Sequence, residues 1–393
     1  MRILSVLLIV LLLAPVAGAD ALCVKTQKGR RVLGLPSSMG LVKITCDNYV
    51  LYVEDSKAKI LANQYDGLKV KVKGKERLYA HSDVHSYEFT DLPEDFIEGK
   101  AQQGVRAYQQ ARRSFGALKD DPDAPTVFRE AADFEYGMCL LGLGKRKSAK
   151  AHFGKWSHTA SYYTPLVYEL QAKLALIGED FAGARARYKA IVLLPGIPQD
   201  WKYKGKLGDA LVDLEEAKYA EAERTATELL REMGAATTLA DPRAQAYVII
   251  ARAVYKGSQV DRYEEALQKL QAAKSIEGVS SALMGQVYSI EGDLLFIVKR
   301  HSDARYAYMR VWLSHNDEPA NVAHCLVEAG KCFFNLSALE ESKDQAKSDE
   351  LFKKGFRLIQ ECASRYRGTP ARKTAVGLYR QYKPKNDKLT TGK

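Results

Sequence analysis

Two kinds of hydrophobic spacing divide the chain. Between residue 22 and about residue 90, apolar positions come in short runs or alternate with polar ones. Leu41–Thr45 and Tyr49–Val53 are β-branched and aromatic runs split by Asp47-Asn48, and Leu68, Val70 and Val72 share one side of a strict alternation that ends at Gly74. Lys28-Gly29 marks an early turn, and Leu78, Tyr79, Tyr87 and Phe89 continue the pattern. Short strands with turns at intervals of roughly 8–12 residues predict a small all-β domain over 20–92, curled like a barrel.

From Glu98 the spacing changes to three and four. Amphipathic helices are predicted over Glu98–Lys119, Thr126–Leu143, Ser148–Thr159, Leu166–Ile177, Ala182–Leu194, Tyr203–Ala217 and Ala220–Met233, then over Arg243–Tyr255, Tyr263–Ile276, Ala282–Val298, Asp303–Leu313, Ala320–Leu336 and Lys347–Tyr366. Gly144, Gly178, Gly234, Gly257 and Gly278 supply stops, and Pro122, Pro165, Pro198, Pro242 and Pro319 lie near helix starts, where a missing N–H costs nothing. A polar loop is expected over Ser337–Lys347 and a last helix over Thr369–Gln381. The helical domain thus covers 98–383, with Pro384 ending the helix and 384–393 left as a disordered basic tail.

Small residues recur along the helices. Gly137, Leu140, Ala149 and Phe153 have the same mutual spacing as Gly292, Leu295, Ala304 and Tyr308. Ala172, Ala184 and Tyr188, Tyr219, Ala222 and Ala226, Tyr263, Ala266 and Leu270, and Gly330 with Phe333 give partial copies. These offsets resemble positions 8, 11, 20 and 24 of the tetratricopeptide repeat across residues 126–367. The alanines Ala149, Ala184, Ala222, Ala266 and Ala304 recur at 35, 38, 44 and 38 residues, so the copies are degenerate. The resemblance implies a mostly α fold, a right-handed α-solenoid of antiparallel helix pairs preceded by the small β domain. A small residue at each crossing lets two helices approach to about 8–10 Å. Ala210 and Ala251 also supply it, and each pair must stack on the next to bury its apolar face. Gly29, Gly34 and Gly40 give the β domain a looser resemblance to a small Sm-like barrel.

In the repeat family the first helices line a groove for an extended peptide or partner helix. Carried over, the lining positions are Glu135, Met138, Glu169, Lys173, Leu211, Val248, Arg252, Asp293, Val327 and Lys331. Lys173, Arg252 and Lys331 take equivalent slots, which suits an acidic peptide segment or carboxylate terminus, while solvated cations explain them equally well.

The first nineteen residues change the compartment. Arg2, an apolar run from Ile3 to Ala14, Pro15 and the small Ala17-Gly18-Ala19 form a secretory signal peptide with cleavage before Asp20. The product is secreted or periplasmic, with no later stretch long enough to span a membrane. The net charge of +11 falls to about +10 once Arg2 is removed. Export permits disulfides, and Cys23 and Cys46 in the β domain are the candidates. Cys325 and Cys332 stand two turns apart on one helix, about 10 Å, too far to bond each other. Either could reach Cys362, or all three could be buried thiols alongside Cys139.

No motif of a zinc protease, serine hydrolase, nucleotide-binding loop or dinucleotide-binding fold occurs, so the expectation is a non-catalytic scaffold with no cofactor and no metal. His81 and His85 flank Asp83 in what reads as a solvated loop, and His152, His158, His301, His315 and His324 are scattered over different helices. Lys69, Lys71, Lys73, Lys75 and Arg77 read as one basic face of a hairpin, either a contact for acidic glycan or protection of a strand edge. Arg365, Arg367, Arg372, Lys373, Arg380, Lys383, Lys385, Lys388 and Lys393 make the C-terminus basic, yet only Tyr366, Tyr379 and Tyr382 interleave with them, and export argues against a nucleic-acid partner. A protein or peptide partner leads, an acidic envelope polymer comes second, and a helical-solenoid lyase or transglycosylase using Glu135, Glu169 or Asp293 comes third.

Overall fold

The computed structural model describes residues 21–25, 42–46, 49–53, 59–72, 75–79, 84–87 and 92–391. The leader, the Lys28-Gly29 turn, Gly34, Gly40, Lys73, His81 and Asp83 lie outside the described residues, as do the side chains of Cys23, Cys46 and His85.

The alternating runs form strands, in two antiparallel sheets. β1 (Ala21–Lys25), β2 (Val42–Cys46), β3 (Tyr49–Val53) and β7 (Val84–Tyr87) pair in the order β1-β3-β2-β7, while β4 (Lys59–Gln64), β5 (Gly67–Val72) and β6 (Lys75–Tyr79) pair in sequence order. Among the described residues no hydrogen-bonded ladder joins the two sheets into a barrel. Leu51 on β3 stands opposite Cys23 on one side and Ile44 on the other. Two strand spacings, about 10 Å, therefore separate the strands of Cys23 and Cys46, against the ~5.5–6 Å between Cα atoms of a bridged pair. This sheet order does not bring the predicted disulfide to bonding distance.

The basic hairpin face is also corrected. Val72 pairs with Lys75, Lys71 with Glu76 and Val70 with Arg77. Directly opposed residues share a face, so Lys75 and Arg77 belong to the Val70 and Val72 side while Lys69 and Lys71 belong to the other. On that second side Lys69 is 2.7 Å from Glu76.

The helices are α1 (Glu94–Gly104), α2 (Tyr108–Asp120), α3 (Thr126–Gly142), α4 (Arg146–Gly154), α5 (Thr164–Ile177), α6 (Phe181–Val192), α7 (Gln199–Glu215) and α8 (Tyr219–Met233). They continue with α9 (Ala240–Lys256), α10 (Tyr263–Lys274), α11 (Ser281–Ile297), α12 (His301–Ser314), α13 (Pro319–Glu340), α14 (Gln345–Arg365) and α15 (Pro370–Thr391). Asp180 and Asp344 cap α6 and α14 by accepting from the backbone N–H of Gly183 and Lys347, which fixes where those helices start.

Three expectations change. The single helix over Glu98–Lys119 is two, broken at Val105–Ala107 where Arg106 takes φ +60° and reverses the chain. The Ser337–Lys347 loop shrinks, because α13 runs on to Glu340 and Ser337 Oγ is buried against Ser348 on α14. Pro384 does not end the last helix. Residues around it are exposed, so one lost N–H bond faces water, and a Lys383–Asp387 pair at 2.6 Å with Thr390 and Thr391 hydroxyls donating to the carbonyls of Asn386 and Asp387 carries the helix to Thr391.

The chain divides into two compact units. One comprises residues through Leu174 with Leu194–Pro198, the other Ala175–Leu193 with Gln199–Lys393. The change near residues 92–98 separates strands from helices but does not separate the units.

Candidate functional site

The crossings that build the helix pairs are tight because their small residues face rings. A Cβ on Gly292 would lie 2.5 Å from Tyr308, and one on Gly99 would lie 2.7 Å from Phe115. One on Gly137 would overlap Phe153, and one on Gly330 would meet Ile359 at 2.7 Å. Ala149, Ala172, Ala184, Ala222, Ala266 and Ala304 are fully buried. Gly99, Ala111 and Phe115 repeat the spacing of Gly137, Ala149 and Phe153, so α1 and α2 form a further copy that the merged helix had hidden.

In the second unit, α7, α9, α11 and α13 pack side by side as one layer of first helices. Asp293 lies in that layer, directly after Gly292 and 9% exposed. Its Oδ1 accepts from the Tyr308 hydroxyl at 2.8 Å and is 3.0 Å from His324 Nε2 on α13. Burial and the charge of Asp293 push the Tyr308 hydroxyl well above its ordinary range. Burial opposes charge on His324, but the hydrogen bond and charge of Asp293, with Glu328 nearby, leave its pKa above 6.5. Tyr255 on α9 is pushed up to about 12 by burial and by Asp293 and Glu328. Glu328 in turn accepts from Lys331 at 2.7 Å.

Of the groove positions carried over from the repeat, Leu211, Val248, Arg252, Asp293, Val327 and Lys331 lie on the helices of this layer. Leu211 is half-buried beside the core around Leu207 and Ile250. Val248 and Val327, 1% and 2% exposed, are core residues and do not line a surface, because each first helix packs a neighbour on both flanks. In the first unit Glu135 is engaged by Lys100 Nζ at 2.8 Å and Gln103 Nε2 at 2.7 Å, both on α1. Met138 packs half-buried against the Leu140 and Phe153 cluster. Glu169 and Lys173 pair with each other on α5 at 2.7 Å. Lys173 and Lys331 are thus each met by a carboxylate of their own helix, whereas Arg252 has no carboxylate at ion-pair distance among the described residues.

Two of the scattered histidines come together in the first unit. His158 Nε2 is 3.2 Å from Asp133 Oδ2, and His152 Nε2 is 2.8 Å from the Asp133 carbonyl and 3.4 Å from its Oδ1. The Asp133 hydrogen bond raises the His158 pKa against the effect of burial. Among the described residues no group of three His, Cys, Asp or Glu side chains is arranged to hold a metal. The thiols of Cys139, Cys325, Cys332 and Cys362 are free and buried. Burial pushes the first three up to about 12 and Cys362 to about 11, so all four are protonated at neutral pH and poor nucleophiles. No described helix is long and apolar enough to cross a membrane.

Antiparallel helix pairs closed on a small residue and stacked through their first helices define a tetratricopeptide-like helical repeat protein. Solved structures similar to the chain include a tetratricopeptide repeat protein from Parabacteroides merdae, at 16% identity over 67% of this chain and 97% of its own, with a TM-score of 0.37. A Rap protein complexed with competence and sporulation factor matches at 13% identity over 76% and 98%, TM-score 0.39, and the P58(IPK) tetratricopeptide domain at 13% over 75% and 99%, TM-score 0.24. With TM-scores below 0.5, none of these superposes as a whole on the chain. No known family and no curated protein matches the sequence.

Proposed function

We propose that the chain is an exported, non-catalytic scaffold that holds an extended peptide or a partner helix against the first-helix layer of α7, α9, α11 and α13. The observation that carries this reading is the layer itself, apolar in its packing yet bearing Arg252, Tyr255, His324, Glu328 and Lys331 where its helices adjoin. Aromatic and charged groups fixed on a rigid helical face suit peptide recognition. The preference for an acidic segment narrows to Arg252, since Lys173 and Lys331 already have carboxylate partners. The leader Met1–Ala19 supports export, with the mature chain starting at Asp20.

Cross-linking in the native cell envelope followed by mass spectrometry tests the binding face. Partner peptides joined to Lys331 and to lysines beside Arg252 are expected, and Arg252→Glu should cut partner recovery at least tenfold. Cross-links confined to other faces, with recovery unchanged by Arg252→Glu, would overturn the reading. N-terminal sequencing of the exported protein tests the leader, and a chain retaining residues 1–19 would end that part of it.

A further inference from the structure

The layer of second helices differs from the layer of first helices. α10 and α12 each pack on α11, which lies between them. They leave an open cleft of about 630 Å³, with α10 and α12 as walls and α11 as floor. Its walls are second helices, and neither Arg252 nor Lys331 lines it.

The cleft has unlike ends. Leu267, Leu295 and Ala307 are its apolar lining, Leu295 and Ala307 only 5% and 6% exposed, beside Gln268 and Gln271 of the α10 wall. At one end, Lys274 Nζ and the Arg310 guanidinium both lie over the Tyr288 ring, at 5.4 and 5.3 Å, and Arg310 Nη1 donates to the Tyr288 hydroxyl at 2.9 Å. Lys274 is met by Glu291 at 2.7 Å, but Arg310 has no carboxylate partner among the described residues. At the other end, Asp303 is met by Arg300 at 2.8 Å, while Glu264 has no cation partner among the described residues. The uncompensated charges are therefore Arg310 beside the C-terminal ends of both walls and Glu264 beside the N-terminal end. Glu264 and Lys274 bracket the α10 wall, a span of about 15 Å at 1.5 Å per residue.

We propose that this cleft docks one amphipathic helix of about three turns, lying antiparallel to α10 and α12, with an acidic first turn and a basic last turn. Its apolar stripe covers Leu267, Leu295 and Ala307, its acid meets Arg310, and its base meets Glu264. The antiparallel direction also sets the positive N-terminal end of the guest against the negative C-terminal ends of both walls. A strand is a poorer occupant, because helical walls have their backbone groups bonded internally and offer no edge for it to pair with. The open top favours a guest that brings its own folded backbone over a small molecule that needs enclosure.

Two fluorescein-labelled synthetic peptides of fourteen residues test this on the full chain by fluorescence anisotropy. One has a Glu pair in its first turn, leucines at three- and four-residue spacing, and a Lys pair in its last turn. The other has the same composition with the charged ends exchanged. The first should bind at least tenfold more tightly, and the double exchange Glu264→Lys with Arg310→Glu should reverse that order. Both residues are exposed, so the double variant should keep the parent circular dichroism. Arg252→Glu, on the first-helix layer, should leave both affinities unchanged, which separates this site from the proposed function. Equal binding of the two peptides, no saturable binding of either, or an order unmoved by the double exchange would overturn the proposal. Weaker binding of the first peptide to the Arg252→Glu variant would do so too, by moving the site to the other layer.

Discussion

The crossing of α3 with α4 and the crossing of α11 with α12 are the same steric device with different companions. Gly137, Ala149 and Phe153 close the first, and Gly292, Ala304 and Tyr308 close the second, at identical spacing. After the glycine comes Met138 in one and Asp293 in the other. The first crossing has no carboxylate directly after its glycine, and its polar contact is His152 on α4 against Asp133 on α3. The second holds a nearly buried carboxylate, and that carboxylate recruits the Tyr308 hydroxyl and His324 from the following pair. A repeat can thus keep its closure constant while one neighbouring position decides whether a nearly buried carboxylate sits directly after the glycine.

If the closure is what the copies share, Gly137→Ala and Gly292→Ala should be the costliest changes and should cost alike. Each forces a methyl into a buried ring, and a loss of about 3 kcal/mol in denaturant unfolding is expected for each. A small loss at only one of them would break the equivalence. Removing the polar companion should separate the copies. Asp293→Ala strands a buried hydroxyl and an imidazole and should cost about 2 kcal/mol, whereas Met138→Ala loses only packing of a half-buried side chain and should cost less. Exchanging the rings sharpens the contrast further. Tyr308→Phe should lose about 1 kcal/mol, and Phe153→Tyr about as much or more, because no carboxylate awaits its hydroxyl beside Met138.

The smallest effect is the pH dependence. His324 has a folded pKa above 6.5, so its protonated form is favoured by folding. Its contribution is fully present below the unfolded pKa of about 6.5 and is lost as pH rises through the folded value. The side chain is 41% exposed, so the contribution is expected to stay under about 1 kcal/mol. Tm should fall as pH rises from that point, and the fall should vanish in His324→Gln. A fall of the same size in that variant would assign it elsewhere.

Much of the helical array was legible because its rule is local. A small residue at one position and an aromatic or aliphatic residue sixteen later can be read along one dimension, and Gly99 with Phe115 obeyed it as plainly as Gly137 with Phe153. That copy was missed because Gly104, which ends α1, was not read as a stop within the periodic run. The reversal itself is made by Arg106 with positive φ. The Asp293 site was half legible. An aspartate between Gly292 at the crossing and the apolar Leu294-Leu295-Phe296 is a visible anomaly, but its meeting with His324 depends on three helices converging. Val248 and Val327 were misplaced because degenerate spacing leaves uncertain which flank of a first helix meets its neighbour. The basic hairpin failed on parity. Val72 pairs with Lys75, so odd positions on β5 share a face with even positions on β6.

The four buried thiols make the molecule its own reporter of local opening. A thiol reagent has no access to Cys139, Cys325, Cys332 or Cys362 while their helices stay closed, and at pH 7 the groups carry almost no thiolate. Labelling must wait for a fluctuation that lets solvent in. Cys139 would then time the breathing of the unit that contains the strands, and the other three would time the unit that contains the cleft. An oxidising surrounding would meet these sulfurs only as often as the helix pairs part.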